Sequence, residues 1–160
     1  MSRTKKLAAV SAATVAAACA VAVSTAPAHA EAVVPISATL SGNMTINAGL
    51  NFTCTSSTLT GTLDDVSGAL SITTASVGGC GVTVTASNFP WTGSLAGGNV
   101  TISGFRISAA GCVYGGSLSG TYPVGPLPVT VSFKDAPVSK ISGSFLCPST
   151  AKLTANYVFS

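Results

Sequence analysis

The chain has 160 residues, of which 47% are hydrophobic and only 7% charged, with a formal net charge of +3. Three of the seven basic residues lie within the first six positions, so the rest of the chain carries four basic and four acidic residues and is neutral. That balance argues against nucleic acid, because binding to phosphates depends on lysine and arginine, and against an anionic membrane surface.

Residues 1–30 are predicted to be a secretory signal peptide. A basic start, Arg3 to Lys6, precedes an apolar run from Leu7 to Val23, and a small-residue motif ends at Ala30. This order is typical of a Sec-type leader that is cleaved after Ala30. A membrane anchor is the alternative, but the run is short for a span of about 20 residues. We therefore expect an exported, extracellular protein whose mature chain has no transmembrane segment.

The mature chain lacks the side chains that most enzymes need. Its leader carries the single histidine, His29, so no imidazole remains to activate a nucleophile or to bind a metal. Asp64 and Asp65 are adjacent in "LDDVSG", which favours a polar turn over two carboxylates that face one substrate. We predict a protein that is not an enzyme and that holds no metal and no cofactor.

Four cysteines remain after the leader, and an even number in an exported chain predicts two disulfides. Cys54 is followed by "TSSTLTGTL" and Cys112 by "VYGGSLSGTY", and a strand-like segment leads from each to a second cysteine, Cys80 or Cys147. This degenerate repeat favours the pairs Cys54–Cys80 and Cys112–Cys147 over the two other connectivities. It also suggests that residues 31–160 form one domain of two related halves, about 46–95 and 100–160.

Apolar residues alternate with Ser and Thr along the mature chain, which predicts β-strands bounded by Gly- and Pro-rich turns. A phase change at Gly104 suggests a bulge. Every cysteine lies an even number of positions from apolar neighbours and should therefore lie with them on one buried strand face. The sets with a common parity are Ile46, Ala48, Leu50, Phe52 and Cys54; Cys80, Val82, Val84 and Ala86; Ile141, Gly143, Phe145 and Cys147; Val129, Val131 and Phe133; and Leu153, Ala155, Tyr157 and Phe159.

These strands predict an all-β, antiparallel fold. We expect a two-sheet sandwich, or a flattened barrel, of about nine or ten strands with two disulfides.

The only tryptophan of the chain lies in "NFPWTG", between the two halves. A large aromatic residue near disulfides on apolar strand faces favours a core anchor. The alternative is a platform for an apolar ligand, for which the candidate contacts are Phe89, Trp91, Phe105 and Tyr114.

The layout from Phe52 to Cys147 resembles a group of small exported bacterial proteins. The group includes the pseudomonad alkane-oxidation activator proteins and uncharacterised actinobacterial relatives. The shared motifs are "FTCTSSTLTGTL", "ITTASVGGCGVTVTASNFPWTGSL", "ISGFRISAAGC" and "GSFLC". The resemblance implies an extracellular, non-catalytic protein that associates with the cell surface or matrix and helps cells to meet hydrophobic substrates. It brings no catalytic motif.

Three functions follow from the sequence. The first is a structural or interaction protein of the cell surface or extracellular matrix, which fits the neutral, hydroxyl-rich composition. The second is a carrier or sensor of a small apolar ligand. The third is a secreted enzyme inhibitor that presents the loop "YPVGPLP", Tyr122 to Pro128.

Overall fold

A computed structural model describes residues 32–160, and the predicted signal peptide lies outside these described residues. Its eleven β-strands are β1 (Val33–Leu40), β2 (Met44–Asn47), β3 (Asn51–Cys54), β4 (Ser56–Asp64), β5 (Ala69–Gly78), β6 (Val84–Ala86), β7 (Trp91–Ala96), β8 (Asn99–Ala109), β9 (Cys112–Thr121), β10 (Val129–Ser142) and β11 (Thr150–Phe159). Within residues 32–160 there is no helix with the length and hydrophobicity needed to span a membrane.

Eight of the strands form a sheet that closes on itself. Their spatial order is β1-β4-β5-β7-β8-β9-β10-β11, and β1 also pairs with β11, from Ala38 opposite Phe159 to Leu40 opposite Tyr157. Each of the eight strands is therefore paired on both sides, and all pairs are antiparallel. The predicted all-β antiparallel class is confirmed. The sheet forms a barrel with extra strands rather than two clearly separate sheets, because β1 bridges the first and last strands of the meander.

The three remaining strands lie outside the closed circle. β6 pairs with β8, and β2 and β3 form a hairpin that pairs with β11. The sequence predicted one strand face from Ile46 to Cys54, and this is wrong, because the chain reverses at Gly49. Gly49 has a φ of +80° and donates its N–H to the Asn47 side-chain oxygen at 3.4 Å, which is ordinary turn chemistry. Leu50, at the turn, is 71% exposed.

The interior of the barrel is filled by alternate residues of the strands. The β8–β9 register shifts between Ile102 and Phe105, and Gly104 has a φ of +77°, so the predicted phase change is a bulge. Strands from both predicted halves contribute to one buried cluster, and the division into two related halves stays a prediction. All seven apolar residues predicted to face inward on the last two strands are buried: Val129, Val131, Phe133, Leu153, Ala155, Tyr157 and Phe159.

Two disulfides join Cys54 to Cys80 and Cys112 to Cys147, the pairing that the repeat favours. Both lie at the same end of the barrel, because β5 and β8 run in the same direction and each ends beside a bonded cysteine. We call this end, where β5 and β8 finish and β9 begins, the cysteine end.

Two predicted strand faces at the cysteine end are wrong. Cys80 and Val82 do not share a strand with Val84 and Ala86, because β6 begins only at Val84. β10 ends at Ser142, and the chain continues as a loop to Ser149 rather than as a strand through Cys147. Gly143 has a φ of +128°, which takes the backbone out of the extended conformation. Cys147 is buried as predicted, but Phe145 is 92% exposed instead of facing the core.

Candidate functional site

A cleft of about 320 Å³ lies at the cysteine end of the barrel. Three segments form its walls: the β2–β3 hairpin, the junction between β8 and β9, and the loop of residues 143–149, which we call the cysteine loop. No charged side chain lines it, and the apolar or small side chains include Ile46, Phe52, Ala109, Leu146 and Pro148. An apolar concavity of this volume is within the usual range for small-molecule sites.

Covalent bonds and close contacts hold the three walls together. The Cys54–Cys80 bond fastens the hairpin to the segment that follows β5, and the Cys112–Cys147 bond fastens the cysteine loop to the start of β9. The hairpin also meets the cysteine loop directly, since a Cβ atom at Gly49 would lie 3.1 Å from Cγ of Pro148. One cross-link therefore joins two walls of the cleft, and the other ties the hairpin to a neighbouring segment outside the lining.

One residue of the cleft lining, Tyr114, carries a buried hydroxyl. Tyr114 lies on β9 and lines the cleft, and its side chain is only 1% exposed. Its hydroxyl has no hydrogen-bond partner among residues 32–160. Burial raises the pKa of Tyr114 above its ordinary value of 10.0, so the phenol is protonated at neutral pH. The hydroxyl oxygen has less than 1 Å² of accessible surface, so it is enclosed by protein rather than open to the cleft.

Two of the segments that form the cleft carry exposed apolar side chains, which we call the apolar rim: Leu50 on the hairpin and Phe145 and Leu146 on the cysteine loop. They are 71%, 92% and 77% exposed. Exposed apolar side chains that gather beside a groove mark surfaces that contact other apolar material. The rim and the cleft together place exposed and half-buried apolar side chains at this end of the barrel.

The structure brings together three of the four predicted ligand contacts and separates the fourth. Phe89 stacks on Trp91 with ring centroids 4.8 Å apart, and Trp91 meets Phe105 at 4.9 Å. Trp91 is 2% exposed, belongs to the core cluster and donates its indole N–H to the Ser87 carbonyl at 2.8 Å. Tyr114 belongs instead to the cleft. The ligand role of these four residues stays a prediction.

The cavity beside Trp91 is too small for an organic ligand. Its volume of about 30 Å³ has room for one or two water molecules. Tyr157 lies on its wall, and its hydroxyl donates to Oγ of Ser57 at 2.8 Å, while Ser57 donates to the Ser76 carbonyl at 2.8 Å. Burial raises the pKa of Tyr157, and its hydrogen bond with Ser57 acts in the opposite direction. The hydroxyl groups of Tyr157 and Ser57 are therefore buried polar groups of the core that both have hydrogen-bond partners.

The acidic pair in "LDDVSG" forms a turn, as predicted, although Asp64 is buried rather than facing water. Its carboxylate accepts the backbone N–H groups of Val66 at 3.0 Å and Ser67 at 2.7 Å. Asp64 thus supports the β4–β5 connection. Among residues 32–160 no three His, Cys, Asp or Glu side chains are grouped so as to hold a metal ion.

The loop from Tyr122 to Pro128 lies at the opposite end of the barrel from the cysteines. Tyr122 donates its backbone N–H to the Gly98 carbonyl at 2.9 Å, and Val124 is 77% exposed. A second cleft there, of about 390 Å³, is lined by apolar residues such as Leu63, Leu95 and Leu127 and also by Asp64 and Asp65, and the removal of water from a carboxylate would oppose the entry of a hydrophobic ligand. The inhibitor role of this loop stays a prediction.

Most residues of the cleft were not predicted from the sequence, because many of them come from turns and loops. One signal was present. Residues 142–149, "SGSFLCPS", combine Ser, Gly and Pro with two adjacent large apolar residues, Phe145 and Leu146. Such a composition indicates a loop that exposes apolar side chains rather than a strand.

A protein-family model described as "Alkane oxidation protein activator PraA/PraB-like" matches residues 1–159 of the chain. No curated protein and no solved structure gives a significant match.

Proposed function

Because the chain belongs to the PraA/PraB-like alkane oxidation activator family, we propose that it is a non-catalytic accessory protein of alkane use that binds hydrophobic compounds at the cysteine end. A family described as activators favours a role beside an oxidising enzyme over a role as one. The absence of histidine from residues 31–160 is in keeping with that role. The two disulfides indicate an oxidising compartment.

The observation that carries this proposal is the uncharged cleft of about 320 Å³ with its apolar rim. A hydrocarbon chain gains about 0.8 kcal/mol for each methylene group that it buries. No charged side chain in the lining must lose its water for this to happen. The disulfides hold the walls in place, so little free energy is spent on ordering them when a ligand enters.

Contact with the cell surface or extracellular matrix is the second candidate function, and the apolar rim favours it. Phe145 is 92% exposed at the tip of the cysteine loop, where it is free to touch an apolar phase or another molecule. Both candidates use the same end of the barrel. They differ in whether the cleft itself is filled.

Export completes the proposal. We expect the leader to be cleaved after Ala30, so that the protein works outside the cytoplasm. N-terminal sequencing and intact mass of the protein from culture medium and from washed cells would test this. A protein that retained residues 1–30 and remained in the cytoplasm would contradict it.

A displacement assay tests the cleft. The exported protein is titrated with N-phenyl-1-naphthylamine, an uncharged probe that fluoresces in apolar surroundings, and the bound probe is then displaced with n-decane. Leu146→Ser should weaken both probe and decane, because it removes an apolar wall. Val124→Ser is the matched control, since both side chains are 77% exposed and Val124 lies at the opposite end. The proposal fails if the probe does not bind, or if the two variants weaken binding equally.

A further inference from the structure

The cysteine loop exposes an aromatic ring next to the cleft. Phe145 is 92% exposed, and the residues on either side of it, Ser144 and Leu146, both line the cleft. Phe145 itself is not part of that lining, so its ring does not fill the cleft of its own chain. The protein therefore presents an apolar projection and an apolar concavity side by side on one surface.

Several bonds fix the backbone of the cysteine loop. The N–H of Cys147 donates to the Ser144 carbonyl at 3.1 Å, and the N–H of Leu146 donates to Oγ of Ser144 at 3.2 Å. The amino group of Lys140 donates to the Cys147 carbonyl at 3.1 Å, and Cys147 is also bonded to Cys112. A molecule that binds a pre-formed projection does not have to order it first, which makes association more favourable.

The cleft has the size and the chemistry to accept a phenyl ring. An engineered apolar cavity of about 150 Å³ in another protein holds benzene, and the cleft has a volume of about 320 Å³. Ile46 and Phe52 lie in its walls, and its lining has no Lys, Arg, Asp or Glu. A ring that entered it would exchange water for apolar contacts without removing water from a charge.

We propose that two copies of this chain associate through their cysteine ends, and that Phe145 of each copy enters the cleft of the other. The projection and the cleft belong to the same surface, so two copies can exchange them around a twofold axis, which is the commonest symmetry of homodimers. Each site is complete only when the other copy supplies its ring. Aromatic side chains that fill pockets in this way contribute most of the affinity of many interfaces.

The charge of the surface and the shape of the cleft favour a second copy as the occupant. The apolar rim and the cleft lining carry no charged side chain, and residues 31–160 have four basic and four acidic residues, so two like ends can approach without strong repulsion. A flat apolar phase would cover the rim but would leave the concavity unfilled. The exposed ring of a second copy fills it.

The area that this contact buries predicts a weak dimer. An aromatic side chain buries about 150–250 Å², and the cleft wall that covers it loses a similar area. Two exchanged rings, with Leu50 and Leu146 of both copies, therefore bury roughly 1,000 Å² in total. Specific interfaces begin near about 1,000 Å² and typically reach about 1,600 Å². We expect monomers in dilute solution and dimers at roughly 10–100 µM protein.

Association of this kind would regulate the cleft. A second copy and a hydrophobic ligand would compete for the same space, so ligand would shift the protein toward the monomer. This consequence rests on the proposed function, because it takes the cleft as the ligand site. The dimer itself does not depend on it.

Sedimentation velocity of the exported protein without ligand, from about 1 to 300 µM, tests the dimer. Wild type should change from monomer to dimer over this range. Phe145→Ser should weaken dimerisation at least about tenfold, as for a central aromatic anchor, and a residue that is 92% exposed can be replaced without loss of the fold. Val124→Ser is the matched control, because Val124 is 77% exposed at the opposite end. The inference is overturned if wild type stays monomeric, or if the two variants weaken dimerisation equally.

A cross-linking experiment tests where the ring lies. Phe145→p-benzoylphenylalanine is prepared in ¹⁴N and ¹⁵N forms, and the two are mixed and irradiated. Cross-linked peptides that contain both isotopes come from two different copies. They should join position 145 of one copy to the cleft lining of the other, within residues 46–52, 109–114 or 144–148. Cross-links to any other region, such as residues 122–128, would overturn the exchange.

The same sedimentation measurement with saturating N-phenyl-1-naphthylamine separates this inference from the proposed function. The probe should shift wild type at about 100 µM toward the monomer. Wild-type protein that binds the probe but is monomeric at every concentration overturns the dimer and leaves the proposed function intact. A dimer that forms in a protein that does not bind the probe contradicts the proposed function and leaves the dimer intact. A dimer that binds the probe without dissociating overturns the exchange of rings.

Discussion

The two buried tyrosine hydroxyls should have opposite effects on stability. In Tyr157→Phe the hydrogen bond to Ser57, 2.8 Å long, is lost, and Ser57 keeps its own bond to the Ser76 carbonyl. One hydrogen bond of this kind contributes about 1 kcal/mol. Tyr114→Phe instead removes a buried hydroxyl that has no partner within residues 32–160. Without ligand, that change should raise the free energy of unfolding by about 1 kcal/mol or more.

Urea unfolding, with the disulfides intact, measures both effects. Trp91 is the only tryptophan and is 2% exposed, so its fluorescence reports the opening of the core. The denaturation midpoint should rise in Tyr114→Phe and fall in Tyr157→Phe, with the slope m unchanged. The variants should therefore differ by about 2 kcal/mol, or about 6–10 °C in melting temperature for a domain of this size. A Tyr114→Phe variant destabilised as much as Tyr157→Phe would refute the assignment of an unpartnered hydroxyl.

Three further predictions follow from the geometry of the barrel. Gly49→Ala should lower the free energy of unfolding by about 1 kcal/mol more than Gly42→Ala, as measured by chemical denaturation. Both glycines have a positive φ near +80°, but only at Gly49 would the added Cβ lie 3.1 Å from Cγ of Pro148. Equal losses of stability would show that this contact is unimportant. Peptide mapping without reduction should give only Cys54–Cys80 and Cys112–Cys147 peptides, and a mixed pair such as Cys54 with Cys112 would contradict the fold. Burial raises the pKa of both buried tyrosines above 10.0, so these phenols lose their protons at lower pH in the unfolded chain than in the folded protein. The free energy of unfolding should therefore stay constant up to about pH 9 and fall above pH 10. A urea midpoint that did not change from pH 8 to 11 would refute this.

Alternation in the sequence was a good guide wherever a strand runs without interruption. The inward residues of β10 and β11 could be assigned because period-two patterning depends only on neighbours along the chain. The same counting failed where a glycine with positive φ reverses the backbone, at Gly49 and at Gly143. Counting every second residue can be continued through such a glycine, but the extended strand ends there, so the residues on either side do not share one face.

Closure of the barrel was beyond prediction for a different reason. It depends on β1 pairing with β11, strands that lie more than a hundred positions apart and show no complementary pattern. The cleft was also hidden, since its walls come from three separate segments. The predicted Cys112–Cys147 pair indicated only that the start of β9 meets the cysteine loop. Nothing in the sequence indicated that the hydroxyl of Tyr114 would be buried without a partner among residues 32–160.

The seam between β1 and β11 has a mechanical consequence. It contains three register pairs, and backbone hydrogen bonds between Ser37 and Ser160 extend it by one more position. Phe159 lies opposite Ala38, and Val33 lies further along in the same direction. Val33 and Phe159 thus lie at the same end of two antiparallel strands. A force that separates these two residues therefore breaks the pairs of the seam one after another instead of loading all of them at once. Neither disulfide crosses the seam. Under tension the sheet would open first between β1 and β11, while the loops closed at 54–80 and 112–147 would stay intact and limit how far the chain can extend.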